Sequence, residues 1–296
     1  MAFADRLLNI PFVRQNNGLR TFVTGAWLGW QIESNWTDPF LFAVYSIVKP
    51  LTSAAILVVM YAIVTGGNFA AGAFSYMYLG NAFYMYVATV MTGMSQAIID
   101  DRERYKTLRS VWVAPVDIPM SLAGRGVARF FTGSLSVLVT VIFGVLFLHV
   151  TVNPLTVRWP LFLVTLSVGI VMLAMMGLLL AGVVLVLTHK SGFVGDAVAG
   201  ALYLFSGAIF PLEVLPTYLR PIGLVMPVTY WLELIRRSLV GHVAAEFPTF
   251  AGVGDLQLLG ILVALTFATG VTSLVVFALC DWNARERGLI DRTTNH

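Results

Sequence analysis

The sequence predicts an all-α polytopic membrane protein. We expect six transmembrane helices, an N-terminal amphipathic interfacial helix, and re-entrant helices between the fifth and sixth spans. Three observations predict this. Residues 50–99, 130–157, 159–189 and 256–280 contain no Asp, Glu, Lys or Arg. About 20 apolar residues cross the hydrocarbon core as a helix, and these stretches lack the alternation of barrel strands. The chain is also 58% hydrophobic and only 11% charged, against about 25% charged in soluble domains. Spans and short loops consume its 296 residues and leave no room for a soluble catalytic domain. Finally, the apolar segment 206–241 carries Pro211, Pro216, Pro221 and Pro227. Proline removes a helical hydrogen bond and clashes with the preceding turn. This segment therefore enters the apolar layer without crossing it as one helix, which is tolerated only where protein or a water-filled cavity covers it. The alternative is an external surface loop.

The elements follow in order. Leu19, Phe22, Val23, Ala26, Trp27 and Trp30 share one helical face. Two tryptophans on that face suit a helix in the headgroup layer; the alternative is a cytosolic helix packed on protein. Arg6, Arg14 and Arg20 are spread out, with no compact apolar core before Pro39, so no signal peptide is expected. Residues 1–39 read as a cytoplasmic segment. Asp38-Pro39 supplies a cap and a first-turn proline, opening a first span at 40–65. Gly66, Gly67, Asn68 and Gly72 make a turn, and the second span covers 74–99.

Residues 100–119 form the densest charged stretch and read as a loop. A third span is expected at 120–150, with Asn153-Pro154 and Trp159-Pro160 marking the next loop. The fourth span covers 161–188. After the turn His189-Lys190-Ser191-Gly192, the fifth ends near Phe210-Pro211. The last span is 256–280, closing a transmembrane domain of residues 40–280, and 281–296 form a cytoplasmic tail. Lys and Arg mark the inner face. With both termini inside, the inner face holds thirteen Lys and Arg residues, among them Arg102, Arg104, Lys106, Arg109, Arg125 and Arg129. The outer face holds Arg158, Arg220, Arg236 and Arg237. The triplet Asn35-Trp36-Thr37 then lies inside and reads as a chance match to a glycosylation site.

Several chemistries are excluded. Cys280 is the single cysteine, so there is no intramolecular disulfide and no multi-cysteine metal site. A P-loop needs Gly-Lys-Ser/Thr. The only lysines are Lys49, Lys106 and Lys190, and none follows a glycine. No His-Glu-x-x-His is present, and His149 and His189 fall at opposite faces, so an intramembrane enzyme lacks its catalytic set. No internal repeat is evident, which disfavours repeat-built secondary transporters.

In the loop 100–119, mixed charge gives way to apolar residues and a proline stop. Leu108, Val111 and Trp112 share a helical face. That pattern suits a short helix docking into a groove of a soluble partner; a solvated loop is the alternative. The loop resembles the cytoplasmic coupling loop of permease subunits of ABC transporters of the type-2 exporter family. Asp101-Arg102-Glu103, Thr107-Leu108 and Ala114-Pro115 fit its pattern, with Lys106 where that pattern has glycine. Ser206-Gly207, Phe210-Pro211 and Leu215-Pro216 resemble the family's later signature. Pro227-Val228-Thr229 and the Arg236 to Gly241 stretch continue it, with Met226 in place of asparagine.

The resemblance covers nearly the whole chain and implies a prokaryotic plasma (inner) membrane permease. It implies two permease copies, expected as a homodimer, working with two ATP-binding subunits on the cytoplasmic side. ATP and Mg then act through the partner ATPase, and this chain binds no cofactor. ATPase coupling would fall to Asp101, Arg102, Glu103, Arg104, Tyr105, Thr107, Leu108, Arg109, Val111 and Trp112. The outer gate would be Phe210, Pro211, Leu212, Leu215, Pro216 and Pro227. Membrane lipids are expected partners; nucleic acid is not.

Four further residues are candidates for a conduit or a buried charge. Lys49 lies within the first span beside Pro50, where a charge marks a functional candidate unless it snorkels to the headgroups. Asp196 is a candidate partner for Lys49, Arg125 or Arg129. Arg125 and Arg129 otherwise read as interfacial anchors or anionic-lipid contacts. The second span is rich in tyrosine, expected near its outer end as an interface belt, while Phe83 and Tyr84 are placed deeper as conduit-lining candidates. The leading expectation is export of a drug-like molecule or lipid. Export of a lipid-linked polysaccharide is the alternative, and an ATP-independent channel or transporter a further one.

Overall fold

A computed structural model describes residues 16–34, 39–66, 72–152, 155–187, 192–241 and 247–289. The turns predicted around 67–71, 153–154 and 188–191, the triplet at 35–37 and both chain ends lie outside the described residues. The described chain is helical: α1 Asn17–Ser34, α2 Pro39–Thr65, α3 Gly72–Ile99, α4 Leu108–Val113, α5 Ile118–Phe147, α6 Trp159–Val186, α7 Gly192–Phe205, α8 Arg220–Val225, α9 Pro227–Val240 and α10 Asp255–Glu286. A π-helical turn, Asp100–Arg104, extends α3, and 3₁₀ turns lie at Leu212–Val214 and Pro248–Phe250.

Among the described residues, four helical stretches are long and apolar enough to cross a membrane: Ala73–Arg104, Ile118–Phe147, Trp159–Val186 and Asp255–Glu286. The expectation of six is therefore met in part. α2 has 27 residues, of which Ile47–Ile63 forms a shorter apolar stretch. α7 has 14, a rise of about 21 Å against a core of about 30 Å. The predicted fifth span ran on to Phe210, but the helix stops at Phe205. Gly207 sits at φ +70° and turns the chain, a conformation only glycine adopts without cost. Apolarity continues through Ala208 to Phe210, so hydropathy alone overshoots the end.

α3 is the hub, packing on α5, α6, α7 and α9. Its tyrosines are not an interface belt. Tyr76 and Tyr78 are fully buried, and Tyr84 and Tyr86 nearly so. Each hydroxyl donates inside the protein: Tyr76 to Glu233 Oε1 (3.1 Å), Tyr78 to the Thr140 carbonyl (2.7 Å), Tyr84 to the Ala199 carbonyl, Tyr86 to Ser134 Oγ (3.0 Å). Burial of a tyrosine requires such a partner, and these four bonds tie α3 to α9, α5 and α7.

α1 docks on α5 along a glycine edge. Gly25 and Gly29 are its buried residues. A Cβ on Gly25 would lie 2.4 Å from the Ser121 carbonyl oxygen, and one on Gly124 would lie 2.2 Å from that of Phe22. The two backbones touch only because both side chains are hydrogens. Of the predicted apolar face, Trp30 remains exposed, as does the neighbouring Leu28.

Candidate functional site

Three features make up the site: the loop after α3, a lateral cavity, and the proline-rich segment after α7. The loop begins where α3 loosens into its π turn. Buried Asp101 and Arg102 anchor that turn. Asp101 forms an ion pair with Arg125 of α5 at 2.8 Å, its carbonyl accepts from Thr107 N at 2.9 Å, and Arg102 Nε meets Glu103 at 3.0 Å. Lys106, in the position of the expected glycine, takes the glycine-like conformation with φ +54°.

α4 follows, and its apolar face turns inward. Leu108 is 2% exposed. Trp112 is half-buried, and its indole N–H donates to Asp281 Oδ1 of α10 at 2.6 Å. The predicted docking face of Leu108, Val111 and Trp112 is therefore used mainly within this chain. Arg104, Tyr105, Thr107, Arg109 and Val113 lie exposed instead, with the Arg104 guanidinium 5.6 Å from the centre of the Tyr105 ring.

The cavity has a volume of about 500 Å³ and opens between α2, α3, α5 and α7, within the usual range of ligand sites of about 300–1,000 Å³. Lys49 and Asp196 line it together with Ser53, Thr89, Thr92, Thr132 and Ser136; both are exposed, so neither is the expected buried charge. Arg129 and Glu33 close one side as an ion pair at 2.7 Å. Burial raises the Glu33 carboxyl above its ordinary value against the pull of Arg129, and Asp100 adds to the rise. Arg125 and Arg129 thus meet Asp101 and Glu33 rather than Asp196, and their reading as lipid anchors gives way to internal pairing. Phe83 and Tyr84 do not line the cavity. Phe83 packs edge-on against Phe162 and Trp231, and Tyr84 packs on Tyr203.

In the proline-rich segment three of the four prolines stand at the start of an element rather than breaking one, and Pro216 opens a hydrogen-bonded turn to Leu219. Pro211 precedes the 3₁₀ turn, Pro221 stands in the first turn of α8, and Pro227 is the first residue of α9. There the missing N–H is unneeded and the fixed φ is favourable. Leu212 and Leu215 are buried, Phe210 and Pro211 partly so, and Pro216 is exposed. Arg220 ties the segment by donating to the carbonyls of Leu215 (3.0 Å) and Glu213 (2.6 Å).

Behind this segment lies a charge network that sequence reasoning placed on the outer surface. Glu233, Arg236 and Arg237 of α9 are each less than 5% exposed. Arg237 meets Glu233 at 2.8 Å and Asp255 at 3.1 Å, and donates to the carbonyls of Val253 and Phe250. Arg158 also pairs with Asp255 and donates to the Arg237 carbonyl. Arg236 reaches the carbonyls of Gly207 (2.8 Å) and Ala208 (2.7 Å), holding the turn after α7. Its path runs over Gly80, where a Cβ would lie 1.9 Å from the guanidinium. The available signal was the Glu233–Arg237 spacing of four inside an apolar helix, a pairing register.

A family model described as ABC-2 type transporter matches residues 24–240, well over half of the chain. The chain belongs to this family. The match takes in the loop, the cavity and the proline-rich segment, and it ends with α9. No curated protein was found to match the chain. Membership makes the chain a permease subunit of an ABC-2 type transporter, a multi-pass membrane component of a kind that is generally not itself catalytic. It also implies partnership with an ATP-binding subunit.

Proposed function

We propose that this ABC-2 permease exports an amphipathic or hydrophobic molecule, drug-like or lipid, from the cytoplasm. Two copies of the chain act with two ATP-binding subunits. The 100–119 loop faces the cytoplasm and receives those subunits on Arg104, Tyr105, Arg109 and Val113. The prolyl segment 211–241 gates the outer side, and ATP and Mg act in the partner.

The observation that carries this reading is the cavity. It is lined by Lys49, Asp196 and a group of hydroxyls beside Pro50, Met85, Ala88 and Ala199, and so offers both environments that an amphipathic cargo needs. A polar head is matched by the paired charge types, and a tail by Met85 and Ala88. The hydroxyls Ser53, Thr89, Thr132 and Ser136 favour one second reading, a saccharide-bearing lipid, because sugar hydroxyls both donate and accept.

The test is reconstitution of the chain with its ATP-binding subunit in liposomes. Cargoes are a fluorescent phospholipid and a fluorescent amphipathic cation, followed with and without Mg-ATP. ATP-dependent movement that drops about ten-fold in Lys49→Ala or Asp196→Ala, as loss of a charged contact would give, supports the proposal. Equal flux without ATP would contradict it. Activity toward a glycolipid alone would move the assignment to the second reading.

A further inference from the structure

α10 carries charge only toward its ends: residues 256–280 contain no Asp, Glu, Lys or Arg. Each end holds one carboxylate bonded to another element. Asp255, at the start, accepts from Arg237 of α9 at 3.1 Å and pairs with Arg158, which immediately precedes α6. Asp281, near the far end, accepts the indole N–H of Trp112 of α4 at 2.6 Å through Oδ1. Its Oδ2 is held by Arg285 at 3.0 Å, one turn further on. The bond to a charged acceptor is of the stronger kind, and Arg285 fixes the carboxylate that makes it.

The stretch between the two carboxylates is one helix without proline, and at 1.5 Å per residue it separates them by roughly 40 Å. Sharp kinks in helices arise mainly at proline, glycine–serine pairs or inserted groups. α10 also packs along α6 and against α9, and Ser273 donates to the Met175 carbonyl at 2.7 Å. These contacts hold α10 against its neighbours, including the stretch around Gly270 and Ser273.

We propose that Asp281 is a positioning residue: it ties α4 to α10, so that a displacement of α4 is delivered along α10 to the Asp255–Arg237–Arg158 cluster behind the proline-rich segment. This rests on the reading of α4 as the element that the ATP-binding subunit moves. It adds a route through the last helix, which lies outside residues 24–240. Physical coupling requires an element that both sites bias, and α10 is one element with side-chain bonds to both.

The experiment uses the permease purified with its ATP-binding subunit. Spin labels replace Ser110 of α4, exposed and outside the proposed docking residues, and Glu286 of α10 in a Cys280→Ser background. Their separation is measured by double electron–electron resonance, nucleotide-free and after vanadate trapping with Mg-ATP. With Asp281 present the separation changes by less than about 2 Å, the scale of a packed-helix shift, because the two elements move together. Asp281→Ala and Trp112→Phe let it shift further on trapping and lower ATP turnover about five- to ten-fold, and the double variant is no worse than either single one. Asp281→Asn, which keeps an acceptor oxygen, behaves as the parent.

A separation that shifts equally with and without Asp281 would overturn the tie while leaving the permease reading intact. So would additive losses in the double variant. A chain that purifies without any ATP-binding partner would remove the reading itself, and the coupling role of Asp281 with it.

Discussion

Lys106 occupies a backbone conformation that costs a non-glycine residue about 1–2 kcal/mol. It does so in the exposed turn before α4. Lys106→Gly should therefore raise protection of the α4 amides against hydrogen exchange, by about 1 kcal/mol. Unchanged or lower protection would show that the Lys106 side chain holds the turn. Gly80 predicts the opposite sign. A methyl there would lie 2.3 Å from the Ala208 carbonyl oxygen as well as against Arg236, and backbone cannot step aside as a side chain can. Gly80→Ala should destabilise the folded protein by about 1–3 kcal/mol, read as a lowered melting temperature in detergent.

At this scale the sequence was legible where partners are close along the chain. The face shared by Leu108 and Trp112, and the register of Glu233 with Arg237, are local patterns. The bond from Trp112 to Asp281 spans 169 positions and that from Arg158 to Asp255 spans 97, and no periodicity reports such pairs.

Among the elements, α9 departs furthest from expectation. Every residue from Pro227 to Leu239 is buried, yet the helix carries three charges. Such a helix is stable only because each charge has partners. Removing one member of a buried pair costs about 3–5 kcal/mol, since the other is left unpaired. Glu233→Ala should therefore lower the melting temperature sharply, whereas Glu233→Gln, which still accepts from Tyr76, should lower it less. Equal melting for parent and Glu233→Ala would mean that Asp255 alone satisfies Arg237.

The segmentation of residues 211–240 into short pieces was legible because proline dictates where a helix begins. Span lengths were legible for α3, α5, α6 and α10 because charge bounds them. The end of α7 was not, because a glycine turn inside an apolar run leaves hydropathy unchanged. Nor was the burial of the α3 tyrosines, since composition reports how apolar a helix is and not which neighbours cover it. Lys49 and Asp196, 147 positions apart in sequence, line the same cavity, and only the fold places them there.

For the molecule as a whole, the loop after α3, the cavity and the prolyl segment are parts of one packed helical body with α3 at its centre. Family membership implies an ATP-binding partner, and the exposed face around α4 is where the proposal puts its contact. Reversing charge there, as in Arg109→Glu, should weaken binding of the ATP-binding subunit and leave the permease folded. This is checked by pull-down alongside the melting temperature. The most direct measurement is extraction from the native membrane in mild detergent, with the co-purifying chains quantified and Mg-ATP hydrolysis assayed on the same fraction. The account predicts a P-loop ATPase in equal number with the permease and ATP turnover in that fraction. A permease that purifies alone, without ATPase activity, and that passes solutes through liposomes in the absence of ATP would contradict it.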